Sequence, residues 1–157
     1  MLSGMRANCT PALLLCLLIA TTACGRTDLP QVVPTRDGKR SYEEFKASVG
    51  SFPYNAPRER RERILAGYSK LDVGVTKDEV AAAIGEPDYS QLNYGPKGPN
   101  MPLIGSSWVY YLSKRGDRAN NLDPVVHVFF GTDGRARWIV PSNIEGLHEK
   151  GSPLQRT

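Results

Sequence analysis

Residues 107–140 constrain this chain's fold more tightly than any other stretch. Residues 107–112 set Trp108, Tyr110 and Leu112 against Val109 and Tyr111, and residues 125–130 set Val126, Val128 and Phe130 against Val125, His127 and Phe129. Strand side chains point alternately to opposite faces, so a period of two in apolar residues marks a β-strand. Gly131-Thr132-Asp133-Gly134 reads as a tight hairpin turn into a third strand, residues 135–140, which Pro141 ends. Residues 113–124 form a polar connection. This part of the chain predicts a three-stranded antiparallel β-meander.

The residues before it follow a helical period. In residues 41–50, Ser41 and Glu44 have capping-box spacing, Tyr42, Phe45 and Val49 share one face, and Gly50 is a stop. A second helix runs over residues 58–71 behind Pro57, with Ile64, Leu65, Tyr68 and Leu71 as its apolar stripe. A third covers residues 77–84, where Thr76 and Glu79 repeat the capping box, three consecutive alanines permit close approach, and Gly85 and Pro87 end the helix. Residues 88–105 carry three glycines and three prolines besides Pro87 and read as a loop, and residues 142–157 read as a polar C-terminal tail. The expected class is α+β, with two to three short N-terminal helices on one face of the three-stranded meander.

Such a sheet has a second face. If Trp108, Tyr110, Val126, Val128 and Phe130 face the helices, then Val109, Tyr111, Val125, His127 and Phe129 face outward. Tyr111, His127 and Phe129 are therefore candidate partner-binding residues, since exposed apolar and aromatic patches mark interfaces. The alternative is that residues 41–54, the loop at 88–105 or the tail cover the strip.

The N-terminus carries a different signal. Residues 12–20 are an unbroken apolar run of nine, preceded by Arg6 without any acid. That is short of the ~20 residues a permanent span requires and fits the core of a signal peptide over residues 1–23. Thr21-Thr22-Ala23-Cys24 resembles the bacterial lipobox, which implies acylation of Cys24. Ordinary secretion and a single-span anchor are the alternatives. The three cysteines are Cys9, Cys16 and Cys24, so a chain beginning at Cys24 has no internal disulfide, and its lone thiol makes sense as an attachment point. Several acyl chains anchor stably, at ~0.8 kcal/mol per buried methylene. Gly25, not Asp, follows the cysteine, which resembles the outer-membrane default of lipoprotein sorting and implies a periplasm-facing domain. Residues 24–40, with two prolines and six charges, read as a tether.

Lys and Arg number 20 against 16 Asp and Glu, a formal net charge of +4, and apolar residues make up 40% of 157. That suffices for one modest core, which excludes a large multi-domain enzyme and a multi-span membrane protein, and it is too apolar for a wholly disordered chain. Walker, G-x-G-x-x-G and G-x-S-x-G motifs are missing, and His127 and His148 have no further ligands at metal spacing, so neither a cofactor nor a metal is expected. Arg58, Arg60, Arg61 and Arg63 suit contact with anionic headgroups, or a solvated helix face paired with its own glutamates. Export makes nucleic acid an unsuitable partner.

Tyr68-Ser69-Lys70-Leu71-Asp72-Val73-Gly74-Val75-Thr76-Lys77-Asp78-Glu79-Val80, then Ile84-Gly85-Glu86-Pro87, then Trp108 and Tyr110, then Val126, Val128, Phe130 and Ile139 follow one order. In that order the stretch resembles the BamE/SmpA/OmlA family of small outer-membrane lipoproteins. Val75 stands where the family has Met, and the segment that precedes the helices in barrel-assembly members has no counterpart. The resemblance implies a BamE-like domain over residues 41–141, a fold shared with β-lactamase inhibitors. It further implies a non-enzymatic accessory subunit of an envelope protein or of the outer-membrane β-barrel assembly complex. The alternative is a periplasm-facing binding or inhibitor module unrelated to barrel assembly.

Overall fold

The structure is a computed structural model that describes residues 39–96 and 98–153. The expected signal peptide, the acylated Cys24 and the tether up to residue 38 lie outside the described residues.

Three helices form among the described residues: α1 (Tyr42–Val49) and α3 (Lys77–Ile84) behind their capping boxes, and α2 (Arg58–Tyr68) behind Pro57 with no side-chain cap. The Ser41 hydroxyl accepts from the Glu44 N–H at 3.3 Å while the Glu44 carboxylate accepts from the Ser41 N–H at 2.6 Å. Thr76 and Glu79 do the same at 3.3 and 2.7 Å. Each box satisfies two otherwise orphaned donors, which matters for eight-residue helices that are marginal in water alone. α2 is three residues shorter than expected, because the Leu71 N–H turns back onto the Tyr68 carbonyl.

The strands are β1 (Tyr54–Asn55), β2 (Tyr89–Tyr94), β3 (Leu103–Tyr111), β4 (Ser113–Lys114), β5 (Val125–Phe130), β6 (Ala136–Ser142) and β7 (Lys150–Gly151). The class is α+β, but the expected three-stranded meander is not what forms. The sheet has five antiparallel strands in the order β2-β3-β5-β6-β7, and β1 and β4 pair as a separate two-stranded sheet. β2 occupies the stretch expected to be a loop. Its sequence, Tyr-Ser-Gln-Leu-Asn-Tyr, buries only Ser90 and so lacks an apolar alternation; pairing with β3, from Tyr89 opposite Val109 to Tyr94 opposite Leu103, makes it a strand. β3 starts four residues earlier than its apolar pattern. At Gly105 (φ +151°) a Cβ would stand 1.9 Å from the Phe130 carbonyl oxygen, so only glycine lets β3 approach β5 this closely.

Residues 142–153 are likewise more than a polar tail. Ile144 and Leu147 pack on the main core, and β7 pairs with β6 at Trp138 and Ile139. The Tyr68 hydroxyl donates to the His148 carbonyl at 2.7 Å, and the Lys150 ammonium donates to the Tyr68 carbonyl at 3.3 Å and to that of Leu71. Lys150 thus satisfies carbonyls that the end of α2 leaves open.

The helices do not share one face. α2 and α3 supply Ile64, Tyr68, Val80 and Ile84 to the main core, against Trp108, Tyr110, Val126, Val128, Phe130 and Ile139 of the sheet. Gly67 of α2 lies where a Cβ would be 2.3 Å from the Ala83 carbonyl oxygen, so the small residues set the spacing of the two helices. α1 lies on the opposite face, where Phe45 packs with Val109, Tyr111 and Val125 in a second, smaller core.

Candidate functional site

Strand register lays out the face opposite α2 and α3. Tyr89, Val109, His127 and Val140 are aligned across the sheet, as are Gln91, Ser107, Phe129 and Trp138 beside them, and Tyr111, Val125 and Ser142 on the other side. α1 covers part of it. The Phe45 ring stacks on Tyr111 at 5.7 Å and 20° and meets Tyr54 edge-on at 5.3 Å. Val109 and Val125 disappear beneath it, and Tyr111 keeps 7% of its surface. Of the expected outward strip, residues 41–54 therefore cover one end, and Tyr111 is separated from its two partners.

His127 and Phe129 remain half-exposed and are joined by Trp138 of β6. The His127 and Phe129 rings stack along β5 at 6.0 Å and 14°, and Phe129 stacks on Trp138, directly opposite it, at 4.8 Å and 26°. A directly opposed aromatic pair contributes ~0.2–1 kcal/mol to the sheet. The indole N–H donates to the Glu149 carboxylate, which fixes that ring at the edge of the stack. Burial lowers the His127 pKa below 6.5, and no carboxylate or hydroxyl among the described residues bonds its ring. At neutral pH the three rings are therefore an uncharged aromatic ladder, bordered by Ser107 opposite Phe129 and by Glu149 at Trp138. Trp138 comes beside Phe129 only through the β5–β6 register, which shifts between Phe129 and Phe130, and the pattern of residues 135–140 alone assigns it no face.

Tyr111 belongs instead to a concavity at the other end of α1, of about 270 Å³, lined by Tyr42, Tyr89, Gln91, Tyr111, Lys114 and Asp117. The Lys114 side chain is 1% exposed; its ammonium donates to the Arg118 carbonyl at 2.9 Å and stands 3.7 Å from Asp123, equally buried. The polar composition of residues 113–124 hides such a lysine, since nothing local separates it from the solvated charges around it.

The arginine run divides. Arg58 pairs with Glu62 at 2.7 Å on the surface of α2. Arg60 donates to the Glu86 carbonyl at 2.9 Å and to buried Asp88 at 3.1 Å. Burial pushes the Asp88 carboxyl above its usual range, and Arg60, the Tyr111 N–H and Arg40 offset only part of that. Arg63 donates to the carbonyls of Ala81 and Ala82 at 3.1 and 3.2 Å, at the C-terminal end of α3. Arg61 is half-buried. Two of the four guanidiniums thus hold the helices to each other and to the sheet.

Among the described residues no group of three or more His, Cys, Asp or Glu could hold a metal ion, and no helix is long and apolar enough to cross a membrane. No family model, curated protein or solved structure matches this chain.

Proposed function

We propose that the protein is a lipid-anchored lipoprotein of the bacterial envelope, tethered through Cys24 to the outer membrane. Its globular part is a non-enzymatic accessory subunit that docks an envelope protein through His127, Phe129 and Trp138. The observation that carries this reading is the half-exposed ladder, three stacked rings without net charge on the part of the sheet that α1 leaves open. An apolar aromatic centre inside a polar rim is the anatomy of a protein interface, and aromatic residues supply most of the binding energy in such patches. The lipobox-like leader and the BamE-like order of residues 68–139 support the setting, and point to the barrel-assembly complex as a first partner to test.

A photo-cross-linking side chain in place of Phe129, in living cells, tests the reading. Adducts of defined mass with an envelope protein are expected from position 129 and not from exposed Glu43 on α1. Adducts with barrel-assembly subunits would assign the complex, whereas adducts with another envelope protein would favour a separate binding or inhibitor module. Equal labelling from both positions would overturn the docking face. The intact mass of the native protein checks the anchor: residues 1–23 lost and acyl mass gained at Cys24.

A further inference from the structure

We infer that the concavity beside α1 is a saccharide-binding site that takes one pyranose ring of a glycan. This does not rest on the docking reading, since the concavity and the ladder use different side chains.

The walls choose the ligand. Tyr42 and Tyr89 meet edge-to-face at 5.2 Å and 70°, and Tyr89 and Tyr111 are tilted by 33° at 6.3 Å. The rings therefore do not make the parallel slot that a flat nucleobase fills, but a faceted bowl suited to a puckered ring. The Lys114 ammonium already lies 5.8 Å from the Tyr42 ring centre and 5.2 Å from that of Tyr111, so a ligand cation would be repelled from those faces. Nor does the site favour a free anion: Lys114 faces Asp123 at 3.7 Å and Lys46 faces Asp117 at 2.7 Å, two charges of each sign.

What remains is a neutral molecule with apolar faces and a polar rim, and the rim is provided. Gln91, exposed at the mouth, offers both a donor and an acceptor, and the exposed Asp117 carboxylate in the lining can accept from a ligand hydroxyl. Tyr42 donates to the Asp117 carbonyl, which leaves lone pairs on its hydroxyl oxygen for a ligand hydroxyl. The volume of about 270 Å³ lies just under the roughly 300–1,000 Å³ of drug-sized sites and suits one ring. A shallower depression over residues 115–120 shares Asp117 and Ala119 with it, so a chain of rings has somewhere to continue.

Calorimetric titration of the full chain, held in a detergent without sugar headgroups, with chitotetraose and with maltotetraose tests the inference. Saturable binding of either tetrasaccharide is expected, at millimolar affinity or tighter. Gln91→Ala should weaken it roughly tenfold, the loss of one well-placed hydrogen bond, with an unchanged melting temperature because Gln91 is exposed. Asp117→Asn should weaken it while leaving the Tyr42 bond to the backbone in place. Absence of binding by both saccharides, binding that Gln91→Ala leaves unaltered, or preferential binding of adenosine, choline or acetate would each overturn it.

Discussion

Replacing Phe45 with alanine should detach α1 and leave the main core folded. Phe45 is fully buried, and its ring holds Tyr54, Tyr111 and Tyr89 at 5.3, 5.7 and 6.2 Å. Truncating a buried phenylalanine costs ~3–5 kcal/mol. Without that ring, α1 is held by the partly buried Tyr42 and Val49, by its capping box and by the surface pair of Lys46 with Asp117. Exposed ion pairs contribute little, and eight residues do not sustain a helix alone. The main core shares no side chain with the Phe45 cluster. Opening of α1 is therefore cheaper than global unfolding, and the loss should fall on that local step. At ~1.4 kcal/mol per decade, even 3 kcal/mol lowers amide protection roughly 150-fold. Hydrogen exchange read by mass spectrometry on residues 42–49 and on residues 125–130 separates the two events. The α1 amides should lose protection by that factor, with β5 nearly unchanged. Wild-type protection in α1, or an equal loss in both segments, would refute the separation of the two cores.

Gly105→Ala should cost on the order of 3 kcal/mol or more in a urea titration, since its Cβ meets the Phe130 carbonyl at 1.9 Å. Gly74→Ala, strained only by φ +93° with open space around it, should cost about 1–3 kcal/mol; equal midpoints would contradict the close approach. His127 titrates below 6.5 because burial disfavours its charged form. The unfolded chain thus protonates first, so stability should fall as pH drops from about 6.5 to the depressed folded value and level off beneath it. His127→Gln should flatten that slope, and an NMR midpoint for the His127 ring at or above 6.5 would refute the burial argument. A chain ending at Ser142 should lose roughly 1–3 kcal/mol of stability because the Ile144 and Leu147 side chains no longer cover the main core, read as a lower thermal midpoint; an unchanged one would show that the segment contributes nothing.

What was legible in the sequence is what neighbouring residues decide among themselves. A capping box is a reciprocal bond between residues three apart, so Ser41 with Glu44 and Thr76 with Glu79 announce α1 and α3 in one dimension. The alternation in residues 107–112 and 125–130 fixes two central strands because each buries apolar side chains on both faces. β2 and β7 carry no such mark: Ser90, Gln91 and Asn93 become strand residues through the β3 ladder, and Lys150 and Gly151 through β6.

The candidate site divides along the same line. His127 and Phe129 stand on the face that their strand parity predicts, beyond the reach of α1. Tyr111 has the same parity and is buried, since parity gives a side chain's direction but not what another element lays on top of it. Trp138 completes the ladder only through cross-strand register, and Lys114 meets its tyrosines only after α1, β2 and β3 converge. Sequence by itself determined the three helices, the strands β3, β5 and β6 and the direction of the β3 and β5 side chains, because these are short-range sterics and hydrogen bonds. The number of strands, the face each helix covers and the composition of both sites were decided by tertiary packing, because those depend on contacts between residues far apart in the chain.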